Sequence, residues 1–216
     1  MEQPLDDSGE TELLVARAAD GDSQALTALM HRYRDRLKRM VALRMDRRLR
    51  GRVGASDIVQ EALIEAARRL SDYSRDPPTG FFLWLRSVAA NKLLSAHRQH
   101  LGTQKRDAAQ EVSLYRRSMP QACSVSLAQQ LLGQITSPTR AVARAELQLM
   151  VQEVLNSMQP IDREILVLRY FEKLSTSEAA KELGIKRSTA GKRYIAALKR
   201  LKQAMSAIPG FEQLAQ

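Results

Sequence analysis

Residues 175–201 have the apolar spacing and the turn chemistry of a helix-turn-helix. Ser175 and Glu178 form a capping box, in which the hydroxyl and the carboxylate satisfy backbone N–H groups at the start of the first helix. Gly184 predicts the turn, because glycine adopts the left-handed conformation at a helix end at the lowest cost. The second helix begins at about Arg187 and has one apolar stripe, formed by Ala190, Tyr194, Ala197 and Leu201. The pattern predicts two short helices packed at a fixed angle.

The other face of the second helix is polar and basic. No Asp or Glu occurs between Glu182 and Glu212, and the 216-residue chain carries a formal net charge of +10. These features favour a polyanionic partner, with nucleic acid ahead of an anionic membrane surface, and a basic helix held by a partner helix suits the major groove of DNA. The alternative is a solvated basic helix in an ordinary bundle.

Composition also bears on the compartment. No apolar run approaches the length that spans a membrane, and the acidic N-terminus has no apolar core of a signal peptide. The single cysteine, Cys123, can form no internal disulfide and fits a reducing compartment. We therefore expect a soluble, cytoplasmic protein.

Almost every periodic segment repeats at 3.6 residues, which predicts an all-α fold with two small helical domains. The predicted helices are 12–18, 24–49, a helix capped by Ser56 or Asp57 and ending near residue 70, 81–99, 137–157, and a helix starting at Pro160. Residues 72–80 are expected to form a loop because Pro77 and Pro78 remove backbone donors. The predicted organisation is a disordered tail at 1–10, a domain at 11–100, a linker at 101–136 in which only 127–132 can form a short helix, a second domain at 137–206, and a tail at 207–216.

An acidic face lies on the helix that follows residue 56. At helical spacing Asp57, Gln60, Glu61 and Ile64 share one side, whereas Val59, Ala62, Leu63, Ala66 and Leu70 line the opposite side. In so basic a protein, an acidic and amide-bearing face indicates a contact with a basic protein surface. A solvated helix face is the alternative.

Aromatic residues cluster at 81–84, in a chain with only 5% aromatics. Trp84, Asn91, Ser95 and Arg98 fall on a common helix face, and aromatic rings beside Asn and Arg can stack on and hydrogen-bond unstacked bases. The alternative is a core cluster. Both can hold if Phe81 and Leu85 lie inside and Trp84 is half exposed.

Catalytic and metal-binding patterns are weak. His97 and His100 lack the carboxylates or thiols that would complete a metal site. Asp57 and Glu61 are a lone carboxylate pair, so a Mg²⁺-dependent nuclease is a minor alternative. We expect no enzyme activity, no metal and no cofactor.

The motifs combine into a specific order. Asp57-Ile58-Val59-Gln60-Glu61-Ala62 is followed by Phe82-Leu83-Trp84-Leu85 with Asn91, then by Pro160-x-Asp162-Arg163-Glu164, then by the helix-turn-helix. This order and spacing resembles the bacterial RNA polymerase sigma factors of the extracytoplasmic-function (ECF) type, with region 2 at about 11–100 and region 4 at about 137–206. The segment 47–53, just before Asp57, is similar to the planctomycete-rich branch of that family.

The resemblance implies partners and site residues. Core RNA polymerase would bind Asp57, Gln60, Glu61 and Ile64. The −10 promoter element would be read and melted by the 72–80 loop and the helix after it, through Asp72, Tyr73, Phe81, Trp84, Arg86, Asn91 and Arg98. The −35 element would be read by Arg187, Ser188, Thr189, Lys192, Arg193, Ile195 and Lys199. The resemblance also implies an anti-sigma factor or other regulator, association with the nucleoid when bound to polymerase, and no membrane insertion.

Three positions depart from the pattern of the family. Lys186 stands where a serine cap is frequent, and Gly191 and Ala196 replace positions that are commonly basic. We expect Gly191 to leave the groove-facing surface open so that Lys192 reaches a base edge. A helix-turn-helix regulator that binds duplex DNA without polymerase is the alternative function, although no heptad seam for a dimer is visible.

Overall fold

The computed structural model describes residues 8–101, 120–133 and 141–206, which are helical with connecting turns and contain no strand. The chain divides into two compact units, with the division between Pro120 and Gln121. The prediction of an all-α protein with two helical units is confirmed. The first unit contains α1 (Ser8–Ala19), α2 (Ser23–Arg44), α3 (Ala55–Arg68), α4 (Leu70–Arg75) and α5 (Phe81–Leu101). The second contains α6 (Ser124–Gly133), α7 (Ala141–Ser157), α8 (Pro160–Leu166), a π-helical turn (Val167–Phe171), α9 (Thr176–Leu183) and α10 (Arg187–Ser206).

Several sequence predictions fall outside the described residues. They are the tail up to residue 7, linker residues 102–119 and 134–136, the helix start at Ser137 and Pro138, and the tail at 207–216.

In the first unit, α3 packs against α5, α2 against α3 and α5, and α1 against α2 and α4. The three- and four-residue spacing of α2 places its apolar residues on one side, where Leu29, Leu37, Met40 and Val41 are buried. Asp22 caps α2, since its carboxylate accepts hydrogen bonds from the backbone N–H groups of Gln24 and Ala25. The sequence predicted Asp22 or Ser23 as the cap of this helix, and the structure selects Asp22.

Two helix ends of the first unit differ from the prediction. α2 ends at Arg44, not near residue 49, because Met45 is extended and the Asp46 carboxylate accepts from the N–H of Arg48, which stabilises a turn instead of a helix. α3 begins at Ala55 and its N-cap is Gly54, so neither Ser56 nor Asp57 is the cap residue. Side-chain bonds to nearby N–H groups decided both boundaries.

The predicted 72–80 loop is shorter than expected. Leu70–Arg75 forms α4, because Leu70 and Tyr73 are both buried, and the loop is confined to residues 76–80. At the other end of the first unit, Ser8–Glu10 belongs to α1 instead of to the tail, and Glu10 pairs with Arg32 of α2 at 2.7 Å.

In the second unit, α6 packs against α7, while α10 packs against α7, α8 and α9. α6 includes the short helix expected at 127–132 and buries Leu127, Leu131 and Leu132. It lies inside the predicted linker, yet its contact with α7 makes it part of the compact second unit.

The helix-turn-helix has the predicted local chemistry. The Ser175 hydroxyl accepts from the Glu178 N–H at 3.1 Å, and the Glu178 carboxylate accepts from the Ser175 N–H at 2.7 Å. Gly184 has φ of 59°, in the left-handed region that favours glycine. α10 then starts at Arg187, and it buries Ala190, Ala197 and Leu201, with Tyr194 half-buried.

Candidate functional site

Three surfaces carry the sequence-predicted site residues, and the first is the acidic face of α3. Asp57, Gln60, Glu61 and Ile64 are all exposed, and Ile64 is 47% exposed. The opposite side of α3 is the core side, with Val59, Ala62 and Ala66 buried and Leu63 half-buried. The four residues therefore form one continuous exposed strip, which we call the acidic strip.

Asp57 has a second role at the start of α3, where it bonds back to the N-cap residue instead of being the cap that the sequence allowed. Its Oδ2 atom accepts a hydrogen bond from the Gly54 N–H at 2.9 Å and so satisfies a donor at the start of α3. Its negative charge also faces the positive end of the helix dipole. A substitution of Asp57 would thus change the helix start as well as the strip, whereas Gln60 and Glu61 stand clear of it.

The aromatic cluster is the second predicted feature, and it is a core cluster. Trp84 is 8% exposed, and its ring stacks on that of Tyr73 with the ring centroids 4.5 Å apart. Phe81 contacts both rings, at 5.6 Å from each. The expectation that Trp84 is half exposed is wrong, because α4 places Tyr73 over the indole.

The cluster supports the short loop at 76–80. The Tyr73 hydroxyl donates a hydrogen bond to the Thr79 carbonyl oxygen at 2.8 Å and so ties the end of the loop to α4. Tyr33 continues the ring network beneath, at 5.5 Å from Phe81 and 5.7 Å from Phe82. The buried rings therefore support the loop from the core of the first unit.

The remaining predicted residues of this surface differ in exposure. Asp72 and Arg98 are exposed, Asn91 is half-buried, and Arg86 is buried. Asn91 and Arg98 are seven residues apart on α5, so they lie on one face two turns apart. The accessible polar groups are thus Asp72 beside the loop, and Asn91 and Arg98 along α5.

The third surface is the outer face of α10. Arg187, Ser188, Lys192 and Lys199 are exposed, Thr189 is half-buried, and Ile195 is 67% exposed. A basic and polar helix surface that bears an isolated exposed aliphatic residue can offer both charged donors and an apolar contact to a groove.

Arg193 has an internal partner. Its Nη1 atom donates to Asp162 Oδ1 at 2.8 Å and to Gln159 Oε1 at 3.2 Å, and Arg200 Nη1 lies 3.4 Å from Asp162 Oδ2. The Asp162 side chain is only 8% exposed. Arg193 and Arg200 thus hold α10 against the start of α8, an arrangement with no local sequence signal.

Gly191 lies on the side of α10 that faces α9. A Cβ atom built at this position would lie 3.9 Å from the Thr176 methyl group, at the start of α9. The expectation that Gly191 opens the outer surface beside Lys192 is therefore wrong, because this side of α10 faces its partner helix.

Within residues 8–101, 120–133 and 141–206, no group of three or more His, Cys, Asp or Glu residues is arranged to hold a metal ion. His97 instead accepts a hydrogen bond at Nε2 from the Asp46 N–H, at 3.4 Å. None of the described helices has the length and apolar character needed to cross a membrane.

Comparisons with known families match both units. The family model described as Sigma-70 region 2 matches residues 29–102, and the model described as Sigma-70, region 4 matches residues 148–201. Together the two matches cover more than half of the chain. The first includes most of α2 and all of α3 to α5, and the second includes part of α7, all of α8 and α9, and most of α10.

Individual proteins agree with these matches. The ECF RNA polymerase sigma factor SigD of Mycobacterium tuberculosis (strain H37Rv) is 28% identical over 199 residues, which cover 91% of this chain and 84% of that protein. The RNA polymerase sigma-H factor of Pseudomonas aeruginosa is 26% identical over 171 residues, which cover 79% of this chain and 81% of that factor. A solved structure of CnrH in complex with the cytosolic domain of CnrY has a similar fold, with a TM-score of 0.52 at 23% identity over 91% of this chain and 97% of that chain.

Proposed function

The chain belongs to the sigma-70 family as an RNA polymerase sigma factor of the ECF type, and on that premise we propose which of its surfaces bind polymerase and which bind promoter DNA. A sigma factor directs transcription initiation, and this chain has both sigma-70 regions that such factors use. We assign region 2 to residues 11–100 and region 4 to residues 137–206, ranges that overlap the matched segments 29–102 and 148–201.

The acidic strip is the proposed contact with core polymerase. Its support is the exposure of Asp57, Gln60, Glu61 and Ile64 on the side of α3 that faces away from the core. Exposed carboxylates around an aliphatic residue suit a basic protein surface with a small apolar centre. This is the observation that carries the proposal, since none of the described residues of the first unit covers the strip.

The test is charge reversal that leaves the helix start intact. Gln60→Lys combined with Glu61→Lys should weaken binding of the full chain to purified core polymerase by at least tenfold, because like charges would face each other across the contact. Asp35→Lys reverses another exposed acid of the first unit and is the matched control. Equal core affinities of the strip variant and the control would remove the assignment.

For the −10 element, we propose that the accessible groups are the 76–80 loop, Asp72, Asn91 and Arg98. Trp84, Tyr73, Phe81 and Arg86 are buried in the free protein, so we assign them to support of that loop instead of first contact with duplex DNA. Melting should be detectable with permanganate. A variant with Asn91→Ala and Arg98→Ala should open promoters poorly yet transcribe normally from a pre-melted template, and an equal defect on both templates would contradict this role.

For the −35 element, we propose that α10 enters the major groove with Arg187, Ser188, Thr189, Lys192, Ile195 and Lys199 facing the DNA. The support is their position on the outer face of a helix whose inner face packs on α8 and α9. Arg193 is held by Asp162, and we propose that it positions the helix.

A protein that binds polymerase on promoters acts where the chromosome is, so we propose a cytoplasmic protein that joins the nucleoid with polymerase. We propose that it catalyses no reaction itself and needs no cofactor. CnrH is seen with the cytosolic domain of CnrY, and by analogy we propose an anti-sigma partner. A purified candidate regulator should then inhibit transcription by the reconstituted holoenzyme, and an absence of inhibition would exclude that candidate.

A further inference from the structure

An arginine-rich turn connects α2 to α3, and the functions proposed above leave it unassigned. Arg47, Arg48, Arg50 and Arg52 are all exposed, and the segment contains no acid between Asp46 and Asp57. We call residues 47–52 the arginine segment. Asp46 is the nearest acid, and Arg48 already pairs with it at 2.9 Å.

The arginine segment is held against the C-terminal end of α5. Arg52 Nη1 donates to the His100 carbonyl oxygen at 2.9 Å, and the Asp46 N–H donates to His97 Nε2. α5 is the helix that carries Asn91 and Arg98, which we assign to the −10 element. The segment therefore lies beside the last turns of α5 and adds positive charge at that end of the helix.

Some of these arginine side chains stabilise the fold of the first unit. Arg52 and Arg50 donate to backbone carbonyl oxygens of His100 and Ala42, near the C-terminal ends of α5 and α2, where a cation also offsets the helix dipole. The guanidinium of Arg52 has five N–H donors, so its bond to the His100 carbonyl oxygen leaves donors for another partner. Arg47 makes no side-chain hydrogen bond or ion pair with any described residue, and the Arg48 side chain is 65% exposed. Arg47 is thus the member least committed to the fold, and Arg48 is highly exposed although it pairs with Asp46.

We propose that the arginine segment binds backbone phosphates of duplex DNA next to the −10 element, on the side toward the −35 element. This inference rests on the proposed function of α5. The 21 residues of α5 span about 30 Å, which corresponds to about nine base pairs at about 3.4 Å each. If the loop end of α5 lies at the melted bases, the other end lies beside duplex DNA, where arginine recognises phosphate through paired N–H donors.

The test measures how promoter binding depends on salt. A phosphate contact contributes about 0.9 to the slope of log affinity against log salt concentration. We expect Arg47→Ala with Arg48→Ala, in the full chain bound to core polymerase, to lower the magnitude of this slope by about two on a promoter fragment. On a template whose duplex ends at the −10 element, the same variant should bind like the unmodified chain.

The chain offers a closely matched control for Arg48. Arg17 pairs with Asp22 at 2.6 Å, with side-chain exposures of 60% and 31%, against 65% and 32% for Arg48 and Asp46. Arg17→Ala and Arg48→Ala therefore remove the same kind of ion pair at the same exposure. Arg48→Ala should lower the slope by about one, and Arg17→Ala should leave it unchanged.

Three results would overturn the inference. The first is an unchanged slope for the double variant, and the second is an equal change for Arg17→Ala. The third is a loss of core-polymerase affinity without DNA, which would identify the partner as a protein surface. Failure of the proposed function can be distinguished from failure of this inference. If the proposed function were wrong, even the unmodified chain with core polymerase would show no promoter-selective binding.

Discussion

The hydroxyl of Tyr73 and the carbonyl oxygen of Thr79 are joined by a 2.8 Å hydrogen bond that spans Pro77 and Pro78. Burial raises the pKa of the Tyr73 phenol above its ordinary value, so the hydroxyl stays protonated and remains the donor. The ring of Tyr73 meanwhile stacks on Trp84. The hydroxyl of Tyr73 therefore fixes the end of the loop that is proposed to contact the −10 element, and the stacked rings of Tyr73 and Trp84 hold that hydroxyl in place.

Tyr73→Phe removes that one atom and keeps the ring stack. We expect the free energy of unfolding of the first unit to fall by about 0.5–1.5 kcal/mol, the range for one lost hydrogen bond, and the base preference at the −10 element to relax because the loop samples more positions. Unfolding can be followed by the fluorescence of Trp84, the single tryptophan of the chain. The base preference can be measured by selection from a promoter library randomised at the −10 element.

Tyr33→Phe is the matched control for this experiment. Tyr33 is buried in the same ring network, and its hydroxyl hydrogen-bonds to Thr11 at 2.8 Å, away from the loop. Tyr33→Phe should lower the free energy of unfolding by a similar amount to Tyr73→Phe, without altering the base preference at the −10 element. If both variants select the same motifs as the unmodified chain, the tether does not position the loop.

Asp162 is expected to stabilise the second unit through Arg193. Asp162→Asn and Arg193→Ala should each lower the free energy of unfolding by about 1–3 kcal/mol, because each removes the charge-assisted hydrogen bond between them, while Arg200 and Gln159 remain as second partners of Asp162 and Arg193. Their double variant should cost less than the sum, since both remove the same interaction. The transition followed by circular dichroism should shift, whereas the Trp84 fluorescence transition, which reports the first unit, should not.

Lys192 is expected to read a base of the −35 element. It is exposed on the outer face of α10 and makes no side-chain hydrogen bond or ion pair with the described residues, whereas its neighbour Arg193 is held by Asp162. Lys192→Ala should relax the preference at one or two −35 positions, while loss of a simple phosphate contact would weaken all sequences evenly. Selection from a library randomised at the −35 element, with exposed Lys202→Ala as control, distinguishes the two. Unchanged motifs for Lys192→Ala would mean that Lys192 reads no base.

His97 should make the first unit less stable in mild acid. Desolvation lowers the pKa of His97 below the ordinary value of 6.5. The nearby negative charge of Asp46 raises this pKa and the positive charge of Arg48 lowers it, but desolvation is the largest effect. As the pH falls through 6.5, the unfolded chain takes up a proton that the folded chain does not, so the free energy of unfolding decreases. Protonation would also cost His97 the Nε2 lone pair that accepts from the Asp46 N–H.

The measurement compares urea unfolding of the unmodified chain and His97→Gln between about pH 7.5 and pH 5.5, followed by Trp84 fluorescence. Glutamine retains an acceptor oxygen but does not titrate in this range. The stability of the unmodified chain should decline more steeply than that of the variant. Parallel pH profiles would show that His97 does not titrate differently on folding.

Local chemistry made much of this protein predictable. The Ser175 and Glu178 capping box, the left-handed Gly184 and the Asp22 cap each involve groups within four residues, so residue type and spacing are sufficient to recognise them. The same holds for the acidic strip, because one face of a helix follows from its 3.6-residue period once the opposite face is apolar. The helix faces proposed to bind polymerase and the −35 element could therefore be predicted from the sequence alone.

Long-range packing decided the rest. Whether Trp84 is exposed depends on Tyr73 of another helix, and whether Arg193 is free depends on Asp162, thirty-one residues earlier in the chain. Gly191 faces α9 instead of the outer surface of α10 for the same reason. A one-dimensional pattern assigns a residue to a face of its helix but not to the neighbour that covers that face, because burial and pairing are properties of the packed elements. Caps, turns and periodic faces could thus be read from the chain, and only the tertiary structure showed which polar groups remain available to partners.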